Sequence, residues 1–196
     1  PLVERDTAIK AHLRERGIDV TSFDGSLWRS PWQVKTRQDQ PYRVFTPFWH
    51  NLRAQLGEEP PLPVPRPLKL HAPGGGVTLE SLQLVPEKHW DARFHEQWTP
   101  GEAGAEEALD LFIDDALGGY ADLRDRPARH GTSRLSPHLH FGEIGPRQVL
   151  ARLRTLAGTG PRRPMPDIEP YLRQLGWREF AHHLLFHYPH TSNGNL

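Results

Sequence analysis

The segment Gly131-Thr-Ser-Arg-Leu-Ser-Pro137 has the residue types of an anion-binding loop. Three of its residues carry hydroxyl groups, and Arg134 adds a guanidinium between them. Hydroxyls and backbone N–H groups in a tight loop can surround an anion, and arginine can contact a phosphate through two hydrogen bonds. A solvated polar turn that caps a helix is the alternative, and the residues alone leave both interpretations open.

A second group of chemically useful side chains consists of Gln174, Trp177 and Arg178. Offsets of three and four residues place all three on one face of a helix. A planar amide, an aromatic plate and a fixed cation suit the stacking and reading of a nucleic-acid base. The alternative is an ordinary amphipathic helix whose tryptophan packs in the core.

Histidines are the third candidate group, but their pattern does not favour a metal site. His183 and His187 have the spacing of two helical zinc ligands, yet Leu184 stands where the zinc-protease pattern requires a glutamate. His138 and His140 would point to opposite sides of an extended segment. We therefore propose no metal ligands, and no catalytic triad can be argued from the sequence.

Composition limits the functions that remain. The chain has 196 residues, no cysteine and a net charge of zero, so it excludes disulfide scaffolds, thiol nucleophiles and cysteine-ligated metals. No Lys or Arg lies between Glu96 and Asp115, whereas nine arginines lie between Ala121 and Met165. Such a contrast can mark a phosphate-binding face. A nucleotide cofactor or nucleic acid is the predicted ligand, and the residues do not choose between them. A non-catalytic arginine-rich nucleic-acid-binding module stays an alternative.

Few strand signals accompany these residues. Asp6 can begin a helix that ends at Gly17, and Ile18–Val20 predicts a short strand, which together are typical of the end of an α/β domain. Residues 21–90 are rich in aromatic residues and proline, with Pro60 and Pro67 bounding the densest part. They predict a long connector, anchored by the burial of five side chains, Tyr42, Val44, Phe45, Phe48 and Trp49.

Helices are predicted for most of the remaining chain. A capping pattern at Thr99–Glu102 begins one helix, which Gly118-Gly119 should end. A second helix should run from Pro146 to Gly158, and a third from about Pro166 to His187. The fold is therefore predicted to be mainly α.

Four ordered motifs resemble those of the DNA photolyase/cryptochrome family. They begin at Tyr42 (Tyr-Arg-Val-Phe-Thr-Pro-Phe), Trp98 (Trp-Thr-Pro-Gly-Glu), Gly131 and Leu175 (Leu-Gly-Trp-Arg-Glu-Phe). The resemblance implies that residues 1–20 are the tail of a Rossmann-like α/β antenna domain, 21–90 an interdomain connector, and 91–196 the first part of an all-helical FAD-binding domain. It also implies an internal part of a longer protein, which alone neither holds FAD stably nor repairs DNA.

Site residues follow from the resemblance position by position. It implies that FAD contacts Tyr120, Thr132, Ser133, Arg134, Leu135 and Ser136. It implies that DNA and its lesion contact Arg124, Gln174, Trp177 and Arg178, with Trp177 as the stacking plate.

The implied reaction is light-driven repair of pyrimidine dimers in DNA by electron transfer from reduced FAD, with cyclobutane dimers as the favoured lesion. Gln174 departs from the glutamate usual in cyclobutane-dimer photolyases, so a (6-4) photolyase or a cryptochrome-type photoreceptor remains an alternative. The family also implies a second, antenna chromophore. Gln40 stands where relatives with a folate antenna have a glutamate, so the identity of this chromophore stays open. We expect a cytoplasmic, monomeric protein whose partner is dimer-containing DNA.

Overall fold

The part of the chain that the computed structural model describes contains seven α-helices, several short 3-10 turns and one π-helical turn, and no β-strand. The described residues are 2–23, 25–57, 61–63, 65, 76–78, 80–84, 88, 90–94, 96–156 and 167–194. The helices are α1 (Leu2–Glu15), α2 (Phe45–Gln55), α3 (Glu102–Leu111), α4 (Tyr120–Leu123), α5 (Ser136–Phe141), α6 (Pro146–Thr155) and α7 (Glu169–His187). No described helix is long and apolar enough to cross a membrane.

Helix α1 confirms the predicted N-terminal helix but begins before Asp6. It ends as the sequence indicates, because Gly17 takes a left-handed φ of 73°. The Gly17 N–H donates to the Arg14 carbonyl, and the Ile18 N–H donates to the Leu13 carbonyl, which is the glycine-terminated helix end. The strand predicted at Ile18–Val20 is wrong for this structure, since a strand needs a neighbouring strand with which to pair its backbone.

Helix α2 lies inside the segment predicted to be a connector and belongs to the core. Phe45, Phe48 and Trp49 are buried as expected, whereas Val44 is 62% exposed and its predicted burial is wrong. Helix α2 packs against α7 so closely that a Cβ at Gly176 would lie 2.5 Å from the Trp49 ring. In the proline run between Pro60 and Pro67, the described residues 61–63 and 65 are not helical, as expected, and the others lie outside the described residues.

The helix predicted to end at Gly118-Gly119 is indeed interrupted there, but a short helix follows directly. Helix α3 has Gly101 as its N-cap and continues through a π-helical turn, Phe112–Ala116, and a 3-10 turn, Leu117–Gly119, into α4. Phe112, Leu117 and Tyr120 are all buried along this path. Gly119, with a φ of −107° and a ψ of 6°, is the N-cap of α4, so the glycines separate two helices while the buried apolar face continues past them.

Helices α6 and α7 confirm the two helices predicted downstream, and the terminator Gly158 lies outside the described residues. The segment around His138, expected to be extended, instead forms α5, which ends where Gly142 takes a φ of 74°. Leu135 and Leu139 turn inward from it. The inward faces of α2, α3, α6 and α7 join them in one hydrophobic core.

Candidate functional site

One cavity of about 1010 Å³ joins the 131–136 loop, here called the hydroxyl loop, to helix α7. Thr132, Ser133 and Ser136 line one side of the cavity, and Gln174 and Trp177 line the other. Nine of the ten residues implied by the resemblance to contact FAD or DNA line this cavity. The exception is Leu135, whose side chain is fully buried in the core.

The hydroxyl loop owes its shape to close backbone packing and to one strained residue. Gly131 is buried against the end of α4, and a Cβ there would lie 2.5 Å from the Leu123 Cβ. Arg134 takes a φ of 55°, the left-handed region that a residue with a Cβ seldom adopts. Strain of this kind persists where the surrounding contacts hold it in place, and it recurs at ligand sites.

Tyr171 of α7 connects the helix to the hydroxyl loop. Its hydroxyl donates to Ser133 Oγ at 2.9 Å, and the Leu135 N–H donates to the same oxygen at 3.4 Å. Burial raises the pKa of the Tyr171 phenol, which the hydrogen bond to Ser133 offsets only in part, so the phenol stays a neutral donor. Because Ser133 Oγ accepts twice, its own proton is the part left to donate to a ligand.

Arg134 points its guanidinium away from the hydroxyl groups of its own loop. Nη2 donates to Gln97 Oε1 at 3.0 Å, and the guanidinium lies 4.5 Å from the centre of the Trp98 ring. The Trp98 indole N–H donates back to the Arg134 carbonyl at 3.0 Å. These contacts hold Arg134 between the main cavity and a second one of about 360 Å³.

Tyr120 and Arg124 form the rim beside the loop. Tyr120 is buried, and burial raises the pKa of its phenol, while the neighbouring Arg124 lowers it in part. The Arg124 guanidinium lies 6.0 Å from the Tyr120 ring and 3.5 Å from the Asp125 carboxylate. With a side chain 38% exposed, Arg124 is a cation that solvent and ligands can reach.

On the α7 side, Trp177 is partly exposed instead of buried in the core. The residue is 45% exposed, and its ring lies parallel to the buried Phe45 ring, with centroids 3.6 Å apart and an interplanar angle of 10°. Gln174 is exposed one turn before it. Phe45 thus supports the indole from behind, and a flat aromatic surface is available to a ligand.

Arg178 is occupied by protein contacts. Nη1 donates to the Ser26 carbonyl at 2.7 Å and Nη2 donates to the Leu139 carbonyl at 3.3 Å. The following residue, Glu179, is 4% exposed and accepts the Trp28 N–H at 2.9 Å. Burial raises the pKa of Glu179 to about 7, an effect that its hydrogen bonds and two nearby arginines oppose.

Sequence reasoning did not assign several polar side chains to this site, among them Tyr171, Glu179, His140 and His182. Tyr171, His140 and His182 line the cavity, and Glu179 lies behind it. Tyr171 precedes Gln174 by three residues, so helical spacing alone could have placed it on the same face. Nothing in the local pattern distinguishes Glu179, because its partners are about 150 residues away in the chain.

His183, the histidine considered as a metal ligand, is part of the core. It is 1% exposed and its Nε2 accepts the Tyr42 N–H at 3.1 Å. Burial, followed by the charge of nearby His187, lowers the pKa of His183 to about 4. Among the described residues, no group of three or more His, Asp or Glu side chains is arranged to hold a metal ion.

Comparison with known proteins gives consistent similarities. A family model described as DNA photolyase matches residues 2–67. The chain is 42% identical to the deoxyribodipyrimidine photo-lyase of Agrobacterium fabrum over 194 residues, which are 97% of this chain and 40% of that protein. It is 31% identical to Cryptochrome-2 of Arabidopsis thaliana, covering 98% of this chain and 33% of the relative.

A solved structure is similar as well. The crystal structure of a bacterial class III photolyase from Agrobacterium tumefaciens matches with a TM-score of 0.85 and 41% identity, over 98% of this chain and 40% of that one. The chain therefore spans about two fifths of the length of the photolyases it matches. The resemblance read from the four motifs is confirmed.

Proposed function

We propose that this chain, which is related to DNA photolyases and cryptochromes over almost its whole length, forms one side of the cavity in which a light-driven enzyme repairs pyrimidine dimers. The observation that carries the proposal is the shared cavity of about 1010 Å³, with phosphate-type donors on one side and an aromatic plate on the other. One hollow thus has the chemistry to hold both a flavin nucleotide and a damaged base.

FAD is the cofactor that the donor set fits. Thr132, Ser133 and Ser136 offer hydroxyl protons from one loop, and Tyr171 holds the Ser133 oxygen so that its proton can face the ligand. A diphosphate needs several such donors at once, and the cavity volume is at the upper end for a small-molecule site. When bound and reduced, FAD supplies the photoexcited electron that opens the cyclobutane ring.

The residues of this chain position the reactants and exclude water. A dimer turned out of the duplex would stack on the exposed face of Trp177, and Gln174 can donate and accept hydrogen bonds at the same helix face. Arg124 lies at the rim, where a DNA phosphate can reach its guanidinium. Lesion binding and cofactor binding are thereby assigned to opposite sides of one cavity.

The same reasoning extends to the domain assignment. We assign residues 1–20 to the tail of an antenna domain, 21–90 to the connector and 91–196 to the first part of the flavin domain. The packing of α2 on α7 supports a connector whose middle is built into the flavin domain. A second, antenna chromophore is part of this proposal, with its chemistry left to the experiment.

The test uses the intact protein, supplied with FAD, reduced, and illuminated with an oligonucleotide that contains one cyclobutane thymine dimer. We expect the protein to show the absorbance of bound flavin, and we expect the ultraviolet absorbance of the thymines to recover on illumination. A parallel oligonucleotide with a (6-4) lesion determines the lesion class.

Each other result selects a different function. Bound flavin without repair of either lesion contradicts the enzyme and supports a cryptochrome-type photoreceptor, for which the similarity to Cryptochrome-2 is the specific observation. A protein that stays colourless with FAD, yet binds DNA with steep salt dependence, supports the arginine-rich nucleic-acid-binding module.

A further inference from the structure

Residues 26–29, here called the strap, run along the wall of the cavity between α5, α6 and α7. Ser26 at its beginning lines the cavity. Trp28 is 2% exposed, and its indole N–H donates to the Pro146 carbonyl at 2.8 Å. Arg147 Nη2 donates to the Trp28 carbonyl at 3.1 Å, so α6 holds the middle of the strap.

Helix α7 holds the strap through two adjacent side chains of opposite charge. Arg178 forks between the Ser26 carbonyl and the Leu139 carbonyl of α5, at 2.7 and 3.3 Å. Glu179 accepts the N–H groups of Trp28 and Arg29 through one carboxylate oxygen, at 2.9 and 3.5 Å. Cation and anion together bind a carbonyl and two amides of the same four-residue segment.

These contacts distinguish Arg178 from Arg124, although the family resemblance implies contact with DNA for both. The Arg178 side chain is 23% exposed and uses two N–H groups on the carbonyls of distant residues. Arg124 is 38% exposed, and its contacts are local: an ion pair with Asp125 at 3.5 Å, and a hydrogen bond and ring contact with Tyr120 one helical turn before it. A guanidinium that spans two carbonyls has its fork directed by the protein. Arg124 is the one of the two that a phosphate can reach without breaking a tertiary contact.

We propose that Arg178 and Glu179 are positioning residues that clamp the strap to α5 and thereby set the width of the lesion-binding side of the cavity, while Arg124 and not Arg178 contacts a DNA phosphate. This inference rests on the proposed function for its DNA part. The clamp itself stands on the contacts between α7, α5 and the strap.

The first test compares three variants of the intact protein by the salt dependence of binding to dimer-containing duplex DNA. The logarithm of the binding constant falls linearly with the logarithm of the salt concentration, and removing one phosphate contact makes this slope shallower by about 0.9. We expect that decrease for Arg124→Gln. For Arg178→Gln we expect roughly tenfold weaker binding, the effect of one lost charge-assisted hydrogen bond, with an unchanged slope.

Arg178→Lys separates charge from geometry. Lysine keeps the positive charge but cannot span the two carbonyls with a rigid fork. The clamp predicts weakened binding close to that of Arg178→Gln, whereas a phosphate contact predicts nearly unchanged binding. A decreased salt slope in Arg178→Gln together with near-normal binding by Arg178→Lys would overturn the inference.

Glu179→Gln provides a readout that needs no DNA. Arg178 of α7 and Arg147 of α6 are the charged groups that face this carboxylate. Above about pH 7, where the Glu179 carboxylate is ionised, replacing it with a neutral amide should speed hydrogen exchange at the Trp28 and Arg29 amides by roughly tenfold relative to the exchange of core α7 amides. Unchanged exchange at these two amides contradicts the clamp even if the protein repairs DNA.

The two proposals can fail separately. If the wild-type protein shows no preference for dimer-containing over undamaged DNA, the proposed function fails, and the exchange measurement still tests the clamp. If lesion preference is present but Arg178→Gln lowers the salt slope as Arg124→Gln does, only the clamp inference fails.

Discussion

Helix α7 has two faces, one packed against α2 and one lining the cavity, and the two make different kinds of contact. Its packed face places Gly176 and Phe180 against α2 with almost no free space. Its cavity face presents Gln174 and Trp177, which remain exposed. Phe45 of α2 contacts both faces, because it packs edge-on against Phe180 and lies parallel to the Trp177 ring. The contact between α2 and the packed face of α7, here called the seam, therefore holds the exposed Trp177 indole in one orientation.

The largest expected effect comes from disrupting the seam. In Gly176→Ala the new Cβ would lie 2.5 Å from a ring atom of Trp49, which is 2% exposed and cannot swing away. We expect a loss of about 3 kcal/mol in the free energy of unfolding, measured by denaturant titration. Gly118→Ala is the matched control, because nothing lies within 4 Å of its Cβ position. Equal stability of the two variants would contradict the tight seam.

Truncation of the exposed ring should separate binding from stability. Stacking of one base on an aromatic side chain contributes about 1–3 kcal/mol, so Trp177→Ala should weaken binding of dimer-containing DNA by roughly tenfold or more. Its free energy of unfolding should change less, because the residue is 45% exposed.

Trp32→Ala serves as the control for this variant. Trp32 is 53% exposed and packs on Phe186, and it is not among the residues that line the cavity. If the Trp32 and Trp177 variants weaken lesion binding equally, Trp177 is not the stacking plate.

The pH response should differ between the two faces. His183, on the packed face, has a pKa lowered to about 4 by burial. As pH falls from 6.5 toward 4, the unfolded chain gains a proton that native His183 does not, so this residue makes the native state less stable. The difference in Tm between wild type and His183→Gln should therefore narrow as pH falls from 7.5 to 5, over roughly that window.

Glu179, behind the cavity face, should respond with the opposite sign. Its pKa is raised to about 7, so between about pH 4.5 and 7 the native state holds the extra proton and stability falls as pH rises.

The control for the His183→Gln prediction is His190→Gln, because His190 is exposed. A Tm difference for His183→Gln that does not vary with pH would refute the assigned buried, neutral state.

The smallest predicted effect concerns the bond between the two sides of the cavity. Tyr171→Phe removes the hydroxyl that donates to Ser133 Oγ, at a cost of about 1 kcal/mol. We expect a fewfold loss of FAD affinity, measured by flavin fluorescence, with little change in DNA affinity. Tyr188→Phe is the control, since its hydroxyl accepts from Arg43 outside the cavity. Equal losses in both variants would show that Tyr171 does not support the hydroxyl loop.

Local sequence signals located the candidate site but not its connections. Hydroxyl groups within six residues must lie together in any tight loop, and a helix brings Gln174, Trp177 and Arg178 onto one face whatever surrounds it. The extended segment predicted at His138 was wrong, because burial against distant helices outweighed local propensity.

The sequence alone thus determined the donor chemistry of the hydroxyl loop, the α7 face and the resemblance to photolyases and cryptochromes, because these depend on covalent spacing and ordered motifs. Tertiary structure decided which of those side chains is free to act. Arg178 is held by carbonyls 39 and 152 residues away, whereas Arg124 stays at the rim. Ser133 accepts from a phenol 38 residues away, so its own proton is left for a ligand. Hydrogen bonds saturate, so a donor used within the fold is not available to a ligand.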